Sequence, residues 1–300
     1  MLIFFVALFA LLIPDSVWAW GGGMHLQVGL NVLENLKMLP ADVAALLTTY
    51  PRDFLYGCIS ADITLGKKYT HYLLHCHRWS IGRKVLQKAQ TEAEQACAYG
   101  YLCHLAADVV AHNCFVPYKI MQSFATVTMK HTYWEMRFET FVKKDIWDQA
   151  KDICRGDQRA NDVLLRKVLT PTIFSFGINK RIFNSIMLLS RLERWQKVMQ
   201  TLSDNSRFIL TEGERNEYFE LTMEMVNDFM QHPEESELLI TDPTGERALT
   251  VAEAVRKNLR LLYKSGRLTK AEGLEQVNGV RMKLQKALHD PQLLNELHSA

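Results

Sequence analysis

With 300 residues, the chain is long enough for one large domain or two modest ones, and its 48% hydrophobic and 23% charged residues exclude a disordered, collagen-like or simple coiled-coil protein. The 35 basic and 33 acidic residues nearly balance, and the resulting net charge of +2 favours neither nucleic acid nor a polybasic membrane anchor. Glycine and proline are scarce, at 15 and 8 residues, which favours helices.

An apolar segment opens the chain. Residues 2–13 read LIFFVALFALLI and carry no charge, but this run is shorter than the roughly 20 residues that a membrane-spanning helix needs. It is typical of a signal peptide, with the small residues Val17 and Ala19 before a cleavage point that we predict after Ala19. We therefore expect residues 1–19 to be removed and the protein to be secreted or periplasmic. Because no lysine or arginine directly follows Met1, an uncleaved membrane anchor is the alternative.

The remaining chain is predicted to be all-α, because apolar residues recur at helical spacing and alternating strand patterns are hard to find. The predicted helices are His25–Leu36, Ala41–Leu47, Arg83–Ala111 as one or two helices, Tyr133–Lys143, Asn161–Leu169, Lys180–Leu202, Glu212–Gln231, Val251–Lys264 and Lys270–Leu288. We expect a catalytic core in residues 20–145. Residues 146–300 form a helical region that packs on the core or extends it.

Six cysteines are present, and an even number permits disulfides in an oxidising compartment. No CxxC zinc pattern occurs, and the chain is too long for these residues to form a dense disulfide framework. We interpret the cysteines as small buried apolar residues.

Histidines concentrate in the first half of the chain, and two groups have the spacing of helical metal ligands. His104, Asp108 and His112 are each four residues apart, so on a helix they turn by only about 40° per step and share one face. His131 and Glu135 repeat the same spacing. Imidazole nitrogens and carboxylate oxygens are ligands that zinc accepts at about 2.0–2.2 Å. The two patterns together predict a zinc centre.

These segments resemble the zinc-dependent phospholipase C family, whose fold is shared with fungal single-strand nucleases, and the N-terminal domain of the phospholipase D that cleaves glycosylphosphatidylinositol anchors. Trp20-Gly-Gly-Gly-Met-His25 resembles the mature N-terminus of this superfamily, and Gly57-Cys-Ile-Ser-Ala-Asp62 resembles the segment that ends in a metal-binding aspartate. Thr70-His71-Tyr72 resembles the short histidine–aromatic element that follows. The segments His104–His112 and His131–Glu135 resemble the two ligand helices, and the resemblance covers about residues 20–145.

The resemblance implies three zinc ions. It assigns the first to Asp62, His71, His104 and Asp108, and the second to His112, His131 and Glu135. It assigns the third to His25, to Asp108 as a bridge, and to the free amine and carbonyl of Trp20, which cleavage after Ala19 would expose. Two zinc ions that share a carboxylate can share a hydroxide as the nucleophile. Asp62 is a candidate catalytic residue that orients the attacking water.

The choice of His71 is open, because His75 and His77 follow it closely in the same segment. The aromatic Tyr72 favours His71. His75, one helical turn later, is a ligand or a hydrogen-bonding support in this interpretation, and His77 is the third choice.

The expected function is an exported phospholipase C-type hydrolase that cleaves phospholipid, or another phosphodiester, at a membrane surface. Nucleic acid is not favoured as a substrate and no protein partner is inferred. A single-strand nuclease of the same fold is one alternative, supported by the Trp20-to-His25 spacing and opposed by the compact spacing around Asp108. A zinc-stabilised binding protein without turnover is the other. Gly21–Gly23 and Ile63 stand where phosphatidylcholine-cleaving members have acidic and aromatic residues, so choline preference is not expected.

Overall fold

The computed structural model describes residues 20–64, 75–127, 131–169, 174–204, 206, 209–290 and 292–293. Every regular element in these residues is helical, which confirms the predicted all-α class. The helices are α1 (Gly22–Glu34), α2 (Ala41–Thr49), α3 (Pro51–Ser60), α4 (Trp79–Lys88), α5 (Glu92–Val110), α6 (Val116–Gln122), α7 (His131–Glu139), α8 (Lys144–Arg155), α9 (Arg159–Val168), α10 (Phe176–Ser190), α11 (Glu193–Asp204), α12 (Glu212–Gln231), α13 (Glu246–Lys264) and α14 (Lys270–Lys286). A π-helical turn, Ala111–Phe115, joins α5 to α6.

The predicted segment Arg83–Ala111 forms two helices, because a capping box begins α5. The Thr91 hydroxyl accepts a hydrogen bond from the Glu94 N–H, and the Glu94 carboxylate accepts one from the Thr91 N–H. This pairing satisfies two backbone groups that a helix start leaves open. The predicted helix Lys180–Leu202 is also divided, between α10 and α11. Helices α3, α6 and α8 were not predicted.

Helix α5 is the centre of the packing, and α3 lies directly against it. The two helices approach so closely that a Cβ atom on Gly57 would collide with the Cys97 carbonyl, and one on Gly100 with the Phe54 carbonyl. Only glycine fits at such a contact between two backbones. This close approach brings Asp62, which follows α3 in a 3₁₀ turn, towards α5.

Helices from the second half of the chain pack on the first half. Helix α12 packs against α5, while α13 packs against α6 and the π-helical turn. The segment before α13 contains Gly245, which has φ 61° and whose added Cβ would collide with the backbone of His112. This glycine permits the close contact between the start of α13 and the π-helical turn.

Within the described residues, the structure contains no helix with the length and apolarity needed to cross a membrane. The predicted signal peptide, residues 1–19, lies outside them. All six cysteines are free thiols; Cys154 is half-buried and the other five are buried.

Candidate metal centre

Five buried side chains from separate parts of the chain meet beside α5. His104 and Asp108 stand one turn apart on α5, and Asp62 comes from the 3₁₀ turn after α3. His25 lies on α1, and His77 lies two residues before α4. Each of the five is at most 1% exposed. The three elements α1, α3 and α5 pack on one another, which holds this set together.

Three of these residues, His77, His104 and Asp108, have ligand atoms at the spacing of a metal site, and Asp62 lies beside two of them. The Nε2 atom of His77 lies 3.1 Å from His104 Nε2, 3.2 Å from Asp62 Oδ1 and 3.1 Å from Asp108 Oδ2. The Nε2 atom of His104 lies 3.2 Å from Asp108 Oδ2 and 4.0 Å from Asp62 Oδ1. Ligand atoms around tetrahedral zinc are roughly 3.3 Å apart, given bonds of about 2.0–2.2 Å. The atoms of His77, His104 and Asp108 therefore fit around one zinc ion, while Asp62, which groups with His25 and His104, is a further donor beside them.

The second oxygen of Asp108 faces a different histidine. Asp108 Oδ1 lies 3.3 Å from the Nε2 atom of His25, whose ring stacks on that of His104 with centroids 3.7 Å apart. Asp108 thus has one oxygen towards His77 and His104 and the other towards His25. This is the arrangement that a carboxylate bridging two metal ions requires.

The protonation states of the residues in this cluster favour the binding of a cation. His104 Nδ1–H donates a hydrogen bond of 2.8 Å to the Cys58 carbonyl, which directs the lone pair of Nε2 at Asp108 when the ring is neutral. Burial, and after it the neighbouring His104, lowers the pKa of His25 to about 4. Burial opposes ionisation of Asp108, but the facing histidines, His104 first, hold its pKa well below its usual range.

At neutral pH, His25 is a neutral ligand and Asp108 an anion. The contacts of 3.1–3.3 Å between the Asp108 oxygens and the three imidazoles are close, but among the described residues none of them has hydrogen-bond geometry, and neither ring nitrogen of His25 has another hydrogen-bond partner. Buried polar atoms are normally satisfied, so their donor chemistry fits metal coordination.

Trp20 is anchored directly beside this cluster. Its side chain is fully buried, and its indole Nε1–H donates a hydrogen bond of 3.1 Å to the carbonyl of Ala107, the residue before Asp108. The ring stacks on Phe115 and contacts Phe138, with centroids 5.1 Å and 4.2 Å away. These contacts fix residue 20 against the helix that carries the ligands.

Of the three residues predicted to hold the second ion, the structure describes the side chains of His112 and Glu135. His112 is buried in the π-helical turn, and its Nδ1–H donates a hydrogen bond of 2.5 Å to the Pro243 carbonyl. Glu135 is buried on α7. Neither belongs to the groups of three potential ligands that the described side chains form around Asp108. His131 begins α7, but its side chain lies outside the described part of the chain.

Of the three candidate histidines between residues 70 and 78, the structure brings His77 into the cluster. His75 lies beside it, and its Nδ1 atom accepts a hydrogen bond of 3.2 Å from the His77 N–H. His71 lies outside the described residues. The third choice, His77, thus lies in the cluster, and the first choice, His71, stays a prediction.

The sequence analysis missed Glu139, which lies one turn after Glu135 on α7. Its partly buried carboxylate accepts hydrogen bonds from the N–H groups of Gly23 at 3.2 Å and Met24 at 2.8 Å, at the start of α1. Burial raises the pKa of Glu139 to about 7, although both hydrogen bonds oppose the shift. Glu139 could have been predicted from the sequence, because His131, Glu135 and Glu139 follow one another at a spacing of four residues.

An all-α fold with histidines and carboxylates converging in its buried centre defines a helical metalloprotein. The model of the zinc-dependent phospholipase C family matches residues 24–172, and the chain belongs to this family. It is therefore a zinc-dependent hydrolase of the phospholipase C type. The match continues past residue 145 and includes α8 and α9. Neither a curated protein nor a solved structure shows a match to this chain.

Proposed function

We propose that the protein is an exported phosphodiesterase that uses three zinc ions to cleave phospholipid headgroups in the phospholipase C manner. The observation that carries the proposal is the position of Asp108, whose two oxygens face two different sets of histidines. A single structural ion would not need a carboxylate whose two oxygens face different histidines. Family membership supplies the zinc dependence and the class of substrate.

The ligand sets follow from this geometry and from the family resemblance. One ion takes His77, His104 and Asp108, with Asp62 as a further ligand, and His77 is used where His71 was the first choice. A second takes His25, the other oxygen of Asp108 and the backbone of Trp20. A third takes the residues that lie towards α7 and the π-helical turn, which are His112, His131 and Glu135.

When bound, zinc would activate water for attack at phosphorus and neutralise the charge that develops on the phosphoryl oxygens. The protein's own residues set the geometry for this chemistry. The Cys58 carbonyl fixes the His104 tautomer. The Asp108 carboxylate lies between two sets of candidate ligands, because each of its oxygens faces a different set. Asp62, which is buried beside His77, would orient the attacking water by accepting a hydrogen bond from it.

Export and activity are linked through Trp20. A backbone amine can ligate a metal only if no residue precedes it, so removal of residues 1–19 would create the ligand. The burial of the Trp20 side chain and its hydrogen bond to Ala107 support this role, because they hold the new terminus beside Asp108.

The test compares three kinds of substrate and uses zinc-loaded protein that begins at Trp20. Phospholipid vesicles, single-stranded DNA and a broad set of phosphomonoesters are assayed together, with elemental analysis of bound zinc. We expect about three zinc ions and release of diacylglycerol from phospholipid. Preference for DNA would establish the nuclease alternative, and absence of turnover on every substrate would establish a zinc-stabilised binding protein.

The preference for a phospholipid headgroup is tested with the same assay. Since Gly21–Gly23 and Ile63 provide neither acid nor aromatic ring, phosphatidylcholine should not be cleaved faster than phosphatidylethanolamine or phosphatidylglycerol. A strong choline preference would show that another part of the chain encloses the headgroup.

A further inference from the structure

A largely apolar groove of about 340 Å³ lies between α7, α8, α10 and α11. Its walls include Trp147, Met187, Trp195 and Met199. Trp147 and Met187 are buried, while Trp195 and Met199 are half-buried and leave the groove accessible. Ligand sites in proteins are mostly apolar clefts of roughly 300–1,000 Å³, so this groove is at the small end of that range.

The groove extends to the start of α1, the helix that carries His25. Gly21 and Gly22, the two residues after Trp20, line it together with Glu135. A side chain on Gly22 would collide with the Met187 sulfur, and a Cβ on Gly23 would lie 2.7 Å from the Trp147 ring. The run of three glycines therefore lets α8 and α10 approach the first turn of α1, which places an apolar wall next to the ligands.

Much of this wall comes from outside the part of the chain that the family model matches. The match ends at residue 172, whereas Met187 lies on α10 and both Trp195 and Met199 lie on α11. Two of the helices that line the groove, α10 and α11, thus lie beyond the part of the chain that the family model matches.

We propose that this groove, the acyl groove, binds one hydrocarbon chain of the phospholipid substrate while the phosphodiester lies at the metal centre. The inference rests on the proposed function, because only a lipid substrate joins an apolar chain covalently to the reacting phosphate. The groove fits both requirements: most of its wall surface is apolar, although Glu139, Glu193 and Lys197 also line it, and Glu135, a predicted zinc ligand, is part of the wall. Its volume suits one chain rather than a whole diacylglycerol.

The first experiment measures kcat/KM for monomeric diacyl phospholipids with chains of about four to about ten carbons. Each buried methylene adds about 0.8 kcal/mol, which corresponds to about a fourfold rise in kcat/KM per carbon of the bound chain. We expect this rise to stop when the groove is full, because further carbons stay in water.

The variant Trp195→Ala removes one wall of the groove. It should lower the ratio of kcat/KM for long over short chains at least tenfold, the equivalent of about two buried methylenes. Using a ratio within one variant cancels any general loss of activity. The matched control is Leu192→Ala, an apolar residue near the start of α11 that is 51% exposed and does not line the groove. An equal fall of the ratio in both variants would mean surface adsorption and would overturn the acyl groove.

A binding measurement separates this inference from the proposed function. A soluble lysophospholipid with a brominated acyl chain should quench tryptophan fluorescence in both zinc-loaded and chelator-treated protein, and Trp195→Phe should remove part of the quenching. Quenching without any phospholipid hydrolysis would preserve the groove and refute the proposed function. Hydrolysis with neither chain-length dependence nor quenching would refute the groove alone.

Discussion

Asp108→Asn tests the bridging carboxylate. The substitution keeps the shape of the side chain but replaces one oxygen with an amide NH₂, which cannot ligate a cation. Because Oδ2 faces His77 and His104 and Oδ1 faces His25, either orientation of the amide removes a ligand from one ion. The remaining amide oxygen is neutral and holds the other ion weakly. We expect about two zinc ions to be lost, against about one for His112→Ala.

The expected change in the free energy of unfolding follows from the linkage between zinc binding and folding. With free zinc at a hundred times the dissociation constant, each occupied site adds about 2.7 kcal/mol to the free energy of unfolding. Three sites therefore add about 8 kcal/mol, His112→Ala retains about 5, and Asp108→Asn retains about 3. The quantity compared is the difference between zinc-loaded and metal-free forms of each variant. This difference removes any effect of the substitution on the metal-free fold.

The assay combines elemental analysis of dialysed protein with denaturant unfolding in the presence and absence of a chelator. Asp162→Asn is the matched control, since Asp162 forms an ion pair with Lys180 at 2.7 Å and belongs to no candidate ligand group. It should keep all the zinc and the full zinc-dependent stabilisation. Equal zinc content and equal stabilisation in Asp108→Asn and His112→Ala would refute the bridge.

Three further outcomes are expected. Gly100→Ala should destabilise the fold by about 1–3 kcal/mol, because its Cβ meets the α3 backbone, and should weaken zinc binding. A tag residue left before Trp20 turns the terminal amine into an amide, a poor ligand, and should cost about one zinc ion and most activity without loss of helicity. In chelator-treated protein, Glu139 is protonated more in the folded than in the unfolded state between pH 4.5 and about 7. Its stabilising contribution is present below pH 4.5 and is lost as the pH rises to about 7, and Glu139→Gln should flatten this dependence.

Each of these outcomes has its own check. Gly279→Ala, on α14 with no atom within 4 Å of the added Cβ, should instead stabilise the protein slightly, as measured by denaturant unfolding. Equal zinc and activity in tagged and untagged protein would remove Trp20 from the site. An identical pH slope of the unfolding free energy in wild type and Glu139→Gln would show that this carboxyl is not perturbed.

The helical class and the one-turn spacing of the candidate ligands could be predicted from the sequence alone. Helical spacing is a property of neighbouring residues, so the one-turn separation of His104 and Asp108 could be predicted without knowing what surrounds them. Helix boundaries were less predictable. The break before α5 depends on a capping box at Thr91 and Glu94. The segment Arg83–Ala111 was predicted as one or two helices, without the position of this break.

Only the tertiary structure decided which distant residues meet. The meeting of Asp62 with α5 depends on two helices that touch through Gly57 and Gly100, a contact between residues far apart in the chain. The choice of His77 and the contact of Glu139 with the start of α1 depend on the same kind of packing. Local spacing restricts only the few residues within a turn or two, whereas a site assembled from α1, α5, the turn after α3 and the segment before α4 is set by how helices fit against each other in three dimensions.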